Sequence, residues 1–252
     1  IQAKEFILPK ELLEQNCVIS LSKMKTHALE RITGAVKNSY GFVYGFHKAK
    51  GHTQYPSADS FARMLIDLNK CVAPKLYVMD GIVAMEGNGP GSGDPVQMNV
   101  MIMSTDPVAL DSVFSRLVYL KPEMVPTNYH GEKMGLGTWK EEEITLLTPD
   151  GEISMSEAVK RYGNPQFNVD RTEVRKNIWT RMAGALNIFQ KKPYIEADKC
   201  VRCGICVQSC PVPGKAVDFR KGKGKPPVYD YRKCIRCFCC QEMCPKKAIK
   251  VK

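Results

Sequence analysis

Two stretches near the end of the chain repeat one pattern. Cys200-Val201-Arg202-Cys203-Gly204-Ile205-Cys206-Val207-Gln208-Ser209-Cys210-Pro211 is the first, and Cys234-Ile235-Arg236-Cys237-Phe238-Cys239-Cys240-Gln241-Glu242-Met243-Cys244-Pro245 is the second. Both read C-x2-C-x2-C-x3-C-P. Thiolates spaced three residues apart can wrap a tight loop around three corners of an iron–sulfur cubane. A fourth cysteine, set four residues further on and followed by proline, is turned away from that loop. The chemistry this pattern suits is one-electron transfer by [4Fe–4S] clusters.

The run resembles that of the bacterial-type two-cluster ferredoxins, in which the fourth cysteine of each run ligates the other cluster. One cluster is therefore assigned to Cys200, Cys203, Cys206 and Cys244, and the other to Cys234, Cys237, Cys240 and Cys210. Zinc and disulfides are the competing readings. A zinc ribbon stops at four ligands, whereas each run here adds two more cysteines in fixed register. A disulfide framework calls for an oxidising compartment and a small secreted chain. Cys239 breaks the period and is read as a packed thiol beside the ligands rather than one of them.

Those cysteines need a small module to present them, and the composition marks where it lies. Of 252 residues, 44% are hydrophobic, enough for one medium domain and a small one. The net charge of +11 is unevenly spread: residues 191–252 hold 16 Lys/Arg against 5 Asp/Glu, and the rest of the chain is balanced. Such a basic module favours an acidic redox partner protein or an anionic small molecule. Nucleic acid is disfavoured, since the cations are scattered around the cysteine loops without a nucleic-acid motif. No apolar run approaches a membrane span and no secretory signal opens the chain, so cytoplasmic residence is expected.

Ahead of the cysteines the pattern alternates strand and helix. Pro9–Gln15 reads as a short helix and Cys17–Leu21 as a strand, with Lys23-Met24-Lys25-Thr26-His27 placed just beyond its end. A helix from Ser57 carries Phe61, Met64, Leu65 and Leu68 on one face and stops at Pro74. Lys75–Met79 is the next strand, ending at Asp80-Gly81, and Gln97–Met103 another. Asp106-Pro107 starts a helix with Leu110, Val113, Phe114 and Leu117 as its stripe. A helix within 123–134, an edge strand at Ile144–Leu147 and a helix near Val174–Leu186 follow. The expected fold is α/β, a parallel-sheet domain over 1–150, then a connector with one helix over 151–190. A small α+β ferredoxin-like domain over 191–252 closes the chain.

Three stretches of the first domain resemble the domain-of-unknown-function family 362. They are Lys23–His27 with Gly34-Ala35-Val36-Lys37-Asn38, then Asp80–Pro90, then Ser104-Thr105-Asp106-Pro107-Val108-Ala109-Leu110-Asp111. The family is often joined to a bacterial-type ferredoxin module. The resemblance thus implies an iron–sulfur protein, and names no substrate or reaction. The chain opens Ile1-Gln2-Ala3-Lys4 without an initiator methionine, and family members carry more residues before the Lys-Thr-His segment, so residues ahead of Ile1 are expected to be missing.

Lys25, His27 and Lys37 are the candidate catalytic groups, two cations and an imidazole able to hold an anion and supply a proton. Their alternative is solvated lysines and a locally bonded histidine. The glycine-rich Glu86–Pro95 stretch lacks a phosphate-loop signature and is read as a lid or turn. Asp80, Glu86, Asp106 and Asp111 could offer oxygen ligands to a divalent metal, although helix capping already accounts for Asp106. His47, His52 and His130 have no ligand spacing, and Cys17 and Cys71 are read as buried core thiols. The expected function is single-electron transfer through two [4Fe–4S] clusters to or from a partner or ligand at the α/β domain. The alternative is an iron–sulfur reductase acting on an anionic small molecule bound near Lys25, His27 and Lys37.

Overall fold

The computed structural model describes residues 1–44, 47–173 and 191–252, in two compact units, Ile1–Asp170 and Arg171–Lys252. The first unit opens on helix α1 (Lys10–Leu13), which buries nothing. Strand β1 (Ile19–His27) and the short β2 (Arg31–Thr33) follow, then helices α2 (Ala35–Asn38), α3 (His47–Gln54) and α4 (Ala58–Val72). Strands β3 (Leu76–Glu86) and β4 (Asp94–Ser104) lead to helices α5 (Pro107–Leu117) and α6 (Pro126–Lys133). A small hairpin, β5 (Leu146–Thr148) and β6 (Gly151–Ile153), and helix α7 (Met155–Tyr162) complete the unit.

The sheet runs β2-β1-β3-β4. The parallel pairing is between β1 and β3, with Ile19 opposite Leu76 and Leu21 opposite Val78, and helices α2 to α4 form the crossover. The outer pairs are antiparallel, so the sheet is mixed. The glycine-rich stretch is the loop of the β3–β4 hairpin. Strand ends differ from the sequence reading. Lys23–His27 belongs to β1 itself, and Asp80-Gly81 lies inside β3. Gly81 does not break the strand. A side chain there would meet Val100 at 2.9 Å and Met24 at 3.0 Å, so the glycine makes room for neighbours.

The two long helices of the first unit start on side-chain caps. Ser57 and Ser60 form a reciprocal capping box on α4, and Ala73 ends it in the left-handed region (φ 47°) ahead of Pro74. Asp106 Oδ1 accepts from the amides of Val108 and Ala109, with Pro107 in the first turn of α5. Leu110, Val113, Phe114 and Leu117 then pack on Met24, Met79 and Val100 of the sheet. A second core joins Phe61, Leu65 and Leu68 of α4 to Val36, Tyr40 and Val108.

Two expectations fail on burial and one on extent. Cys17 and Cys71 are exposed, because one precedes β1 and the other lies in the last turn of α4, beyond the packed stripe. The first unit does not stop at 150 but runs to Asp170, since Met155, Phe167 and Val169 fill its sheet core. The helix expected near Val174–Leu186 lies outside the described residues.

In the second unit, strand β7 (Pro193–Ile195) pairs antiparallel with β10 (Ile249–Val251) and ties its two ends together. Between them come helix α8 (Ile205–Gln208), a hairpin of β8 (Val217–Asp218) and β9 (Val228–Tyr229), and helix α9 (Cys239–Glu242). The halves repeat one backbone path. Arg202 and Arg236 take φ of 59° and 57°, and Gly204 and Phe238 take 78° and 60°. These left-handed turns curl each cysteine loop back on itself before its one-turn helix. Phe238 holds that conformation where its counterpart is glycine, and it is buried.

Candidate functional site

Each cysteine loop brings sulfurs to a cavity. The helix α8 carries Cys206 and α9 carries Cys240, while Cys210 and Cys244 follow just after their helices. One cavity is lined by Cys200, Cys203, Cys206 and Cys244. The other is lined by Cys210, Cys234, Cys237 and Cys240. Apolar walls of Ile195, Pro227 and Ile249 surround the first cavity, and Pro193, Val217 and Phe238 the second.

The sulfurs also receive hydrogen bonds. The amide of Ala248 donates to Cys244 Sγ and that of Ala216 to Cys210 Sγ, both at 3.3 Å. Burial pushes the Cys206 thiol up to about 11 and raises Cys234 and Cys240 as well. Burial opposes the ionisation of these three thiols, and iron ions bound beside them would offset it. The donor set is all sulfur, and thiolates select iron–sulfur clusters, copper(I) or zinc. The residues fit a [4Fe–4S] cluster in each cavity.

Cys239, the spare, is buried on α9 and its thiol bonds to Cys237, whose own thiol is thereby held below the ordinary range. Tyr229 was not singled out by sequence. Its hydroxyl lies 3.1 Å from Cys240 Sγ, and burial raises it far above a phenol's usual range. No spacing rule links a tyrosine on β9 to a cysteine on α9, so only the fold reveals the pair.

In the first unit the three family-like stretches interlock. Thr26 Oγ1 donates to the Gly87 carbonyl at 3.0 Å and accepts from the Gly89 amide at 3.2 Å. A side chain at Gly89 would stand 2.2 Å from the Thr26 carbonyl oxygen, so only glycine permits this approach. Asp111, on α5, accepts from the amides of Ala35 (2.6 Å) and Val36 (3.0 Å), which sets the segment bearing Lys37. Asn69 accepts from Ser39 and Tyr77 and donates to the Val36 carbonyl, pinning the other side of α2. Lys25 lies beside this segment, paired in register with Thr33. His27 is buried and its Nδ1 accepts from the amides of Leu29 and Glu30, which leaves the ring hydrogen of the neutral form on Nε2.

The acidic residues considered for a metal have separate duties. Asp80 is paired with Lys23 at 2.6 Å, Glu86 accepts from the Asn168 amide, Asp106 caps α5 and also accepts from Thr138, and Asp111 holds α2. Among the described residues no three His, Cys, Asp or Glu side chains form a site for a single metal ion. His52 stacks on Phe61, and His130 pairs with Asp59 at 2.8 Å. Glu30 was not singled out by sequence. It is fully buried, neither carboxyl oxygen has a hydrogen-bond partner, and burial pushes its pKa well up, with Lys37 pulling the other way.

Among the described residues no helix is long and apolar enough to cross a membrane. Residues 2–116 match the family model described as a domain of unknown function, DUF362, and residues 192–245 match that of a 4Fe-4S dicluster domain. The chain is 41% identical over 130 residues to the thylakoid-associated protein sll1697 of Synechocystis sp. (strain ATCC 27184 / PCC 6803 / Kazusa). That match covers 51% of this chain and 40% of the relative, so the two share only part of their length. No solved structure matches. Residues 192–245 of the second unit thus resemble an iron–sulfur electron-transfer module, and residues 2–116 of the first resemble the DUF362 domain.

Proposed function

We propose that this protein passes single electrons through two [4Fe–4S] clusters, held by Cys200, Cys203, Cys206 and Cys244 and by Cys210, Cys234, Cys237 and Cys240. The observation that carries this reading is the gathering of four cysteines at each of two cavities. A [4Fe–4S] cluster supplies reversible uptake of one electron when bound. The chain's part is to exclude water with the apolar walls, to hold the sulfurs, and to stabilise their charge with amide donors. Iron and acid-labile sulfide analysis of anaerobically purified protein is expected to give about eight of each per chain, four per cluster. Four irons or fewer would remove the reading.

The excess of Lys/Arg over residues 191–252 supports an acidic redox partner protein. Its electron-transfer rate is expected to fall steeply with salt. Eight sulfurs committed to iron suit the reducing cytoplasm.

A second reading makes the first unit a reductase site for an anionic small molecule near Lys25, His27 and Lys37. What favours it is the pinning of these segments by Thr26, Asn69 and Asp111 through buried bonds, a precision that a simple electron carrier does not require. Under this reading Lys37→Ala abolishes turnover and leaves cluster reduction by a chemical donor intact. A variant that loses neither returns the protein to the carrier role.

A further inference from the structure

The two cysteine sets have the same ligand count and the same backbone path, yet their surroundings differ. At the first set, amide donors reach Cys244 (from Ala248) and Cys206 (from Val207). At the second set, amides reach Cys210, Cys234 and Cys237, and two side chains join them. The Tyr229 hydroxyl meets Cys240 Sγ at 3.1 Å, and the Cys239 thiol bonds to Cys237. Among the described residues no side chain donates to Cys200, Cys203, Cys206 or Cys244. The aligned halves explain how this arose. Cys239 stands where the first run has Ile205, and β9 lays Tyr229 against α9.

Resting on the two-cluster reading above, we propose that Tyr229 and Cys239 are tuning residues that make the cluster of Cys210, Cys234, Cys237 and Cys240 the one of higher reduction potential. The first electron entering the module then settles there.

The direction follows from charge. An iron-bound cysteine carries no proton, so in each contact the tyrosine hydroxyl or the spare thiol is the donor. Uptake of one electron from a one-electron donor adds one negative charge, shared over the cluster and its sulfurs. A donor aimed at a sulfur stabilises the reduced form more than the oxidised one and raises the potential. Glu242 supplies an opposing charge near Cys237 and Cys239. It acts through space, whereas the two donors are in contact with ligand sulfurs. Tyr229 is fixed for this task, its ring stacked on Tyr231 at 5.6 Å. The hydroxyl of Tyr231 goes instead to the Pro193 carbonyl at 2.8 Å.

Anaerobic potentiometric titration of the full, cluster-loaded chain, followed by electron paramagnetic resonance, reads both clusters. The wild type is expected to reduce in two resolved one-electron steps. Tyr229→Phe and Cys239→Ala should each shift the higher step downward and leave the lower step in place. The double variant should bring the two steps toward one another. Cys239→Ser, which restores a donor, should recover the wild-type step, and Tyr231→Phe, which touches no sulfur, should move neither. If the lower step moves, or if neither variant shifts the higher step while about eight irons remain bound, the inference is overturned and the two-cluster reading stands. An iron content of about four overturns both. If Tyr229→Phe fails to load, Cys239→Ala with its serine rescue carries the same decision.

Discussion

Cys244→Ala is expected to strip one cluster whole, lowering the iron content from about eight to about four per chain. The cluster lost is expected to be that of the earlier cysteine run, far away in sequence. Pairs of substitutions make this decisive. Cys200→Ala added to Cys244→Ala should cost no further iron, because both belong to the cavity lined by Cys200, Cys203, Cys206 and Cys244. Cys210→Ala added to Cys244→Ala should remove the remaining iron, because Cys210 lines the other cavity with Cys234, Cys237 and Cys240. If each run held its own cluster, both double variants would lose all of the iron, so the iron retained by the Cys200→Ala/Cys244→Ala protein decides between the two arrangements. Iron and labile-sulfide counts with the visible charge-transfer absorbance check all three variants. Cys237 and Cys240 are poor choices for this experiment, since Cys239 lies between them in sequence and offers a neighbouring thiol as a substitute ligand.

The same comparison shows what chain spacing can and cannot carry. Cysteines separated by two or three residues are held by local geometry, so their periodicity in sequence is their arrangement in space. The helices were also legible, because Asp106-Pro107 and Ser57 state where a helix begins, and the stripes 110, 113, 114, 117 and 61, 64, 65, 68 state which face is buried. Strand ends were not. Asp80-Gly81 looks like punctuation, yet Gly81 is small because Met24 and Val100 crowd it. Strand direction was only partly legible: β1 and β3 are parallel, but nothing in the apolar pattern of β4 records that a glycine-rich loop turns it back against β3. Contacts made by the fold alone escaped altogether. Tyr229 reaching Cys240, and Glu30 sealed into the core, depend on elements whose packing no local pattern encodes.

Asp111 joins those two kinds of residue, visible in a family-like stretch but with a role set by the fold. Its carboxylate accepts the amides of Ala35 and Val36, and a side chain on Gly34 would stand 1.9 Å from its Oδ1. Asp111→Ala leaves two buried amides without a partner and is expected to destabilise the first unit by about 3 kcal/mol. Hydrogen exchange at Ala35 and Val36 should quicken, while the iron content, which belongs to the other unit, stays at the wild-type level. The effect is also expected to depend on pH. Burial raises the Asp111 pKa to about 7, outweighing the two amide bonds that pull it down. A carboxyl whose folded pKa lies above its unfolded value holds more protons when folded, so its contribution is full below about pH 4 and declines as pH rises to about 7. Urea unfolding of wild type and Asp111→Ala should therefore show a gap that is wider at pH 5 than at pH 8. A gap that widens toward pH 8 would mean that the amides, not burial, govern the carboxyl, and that Asp111 holds the Gly34–Lys37 segment as an anion.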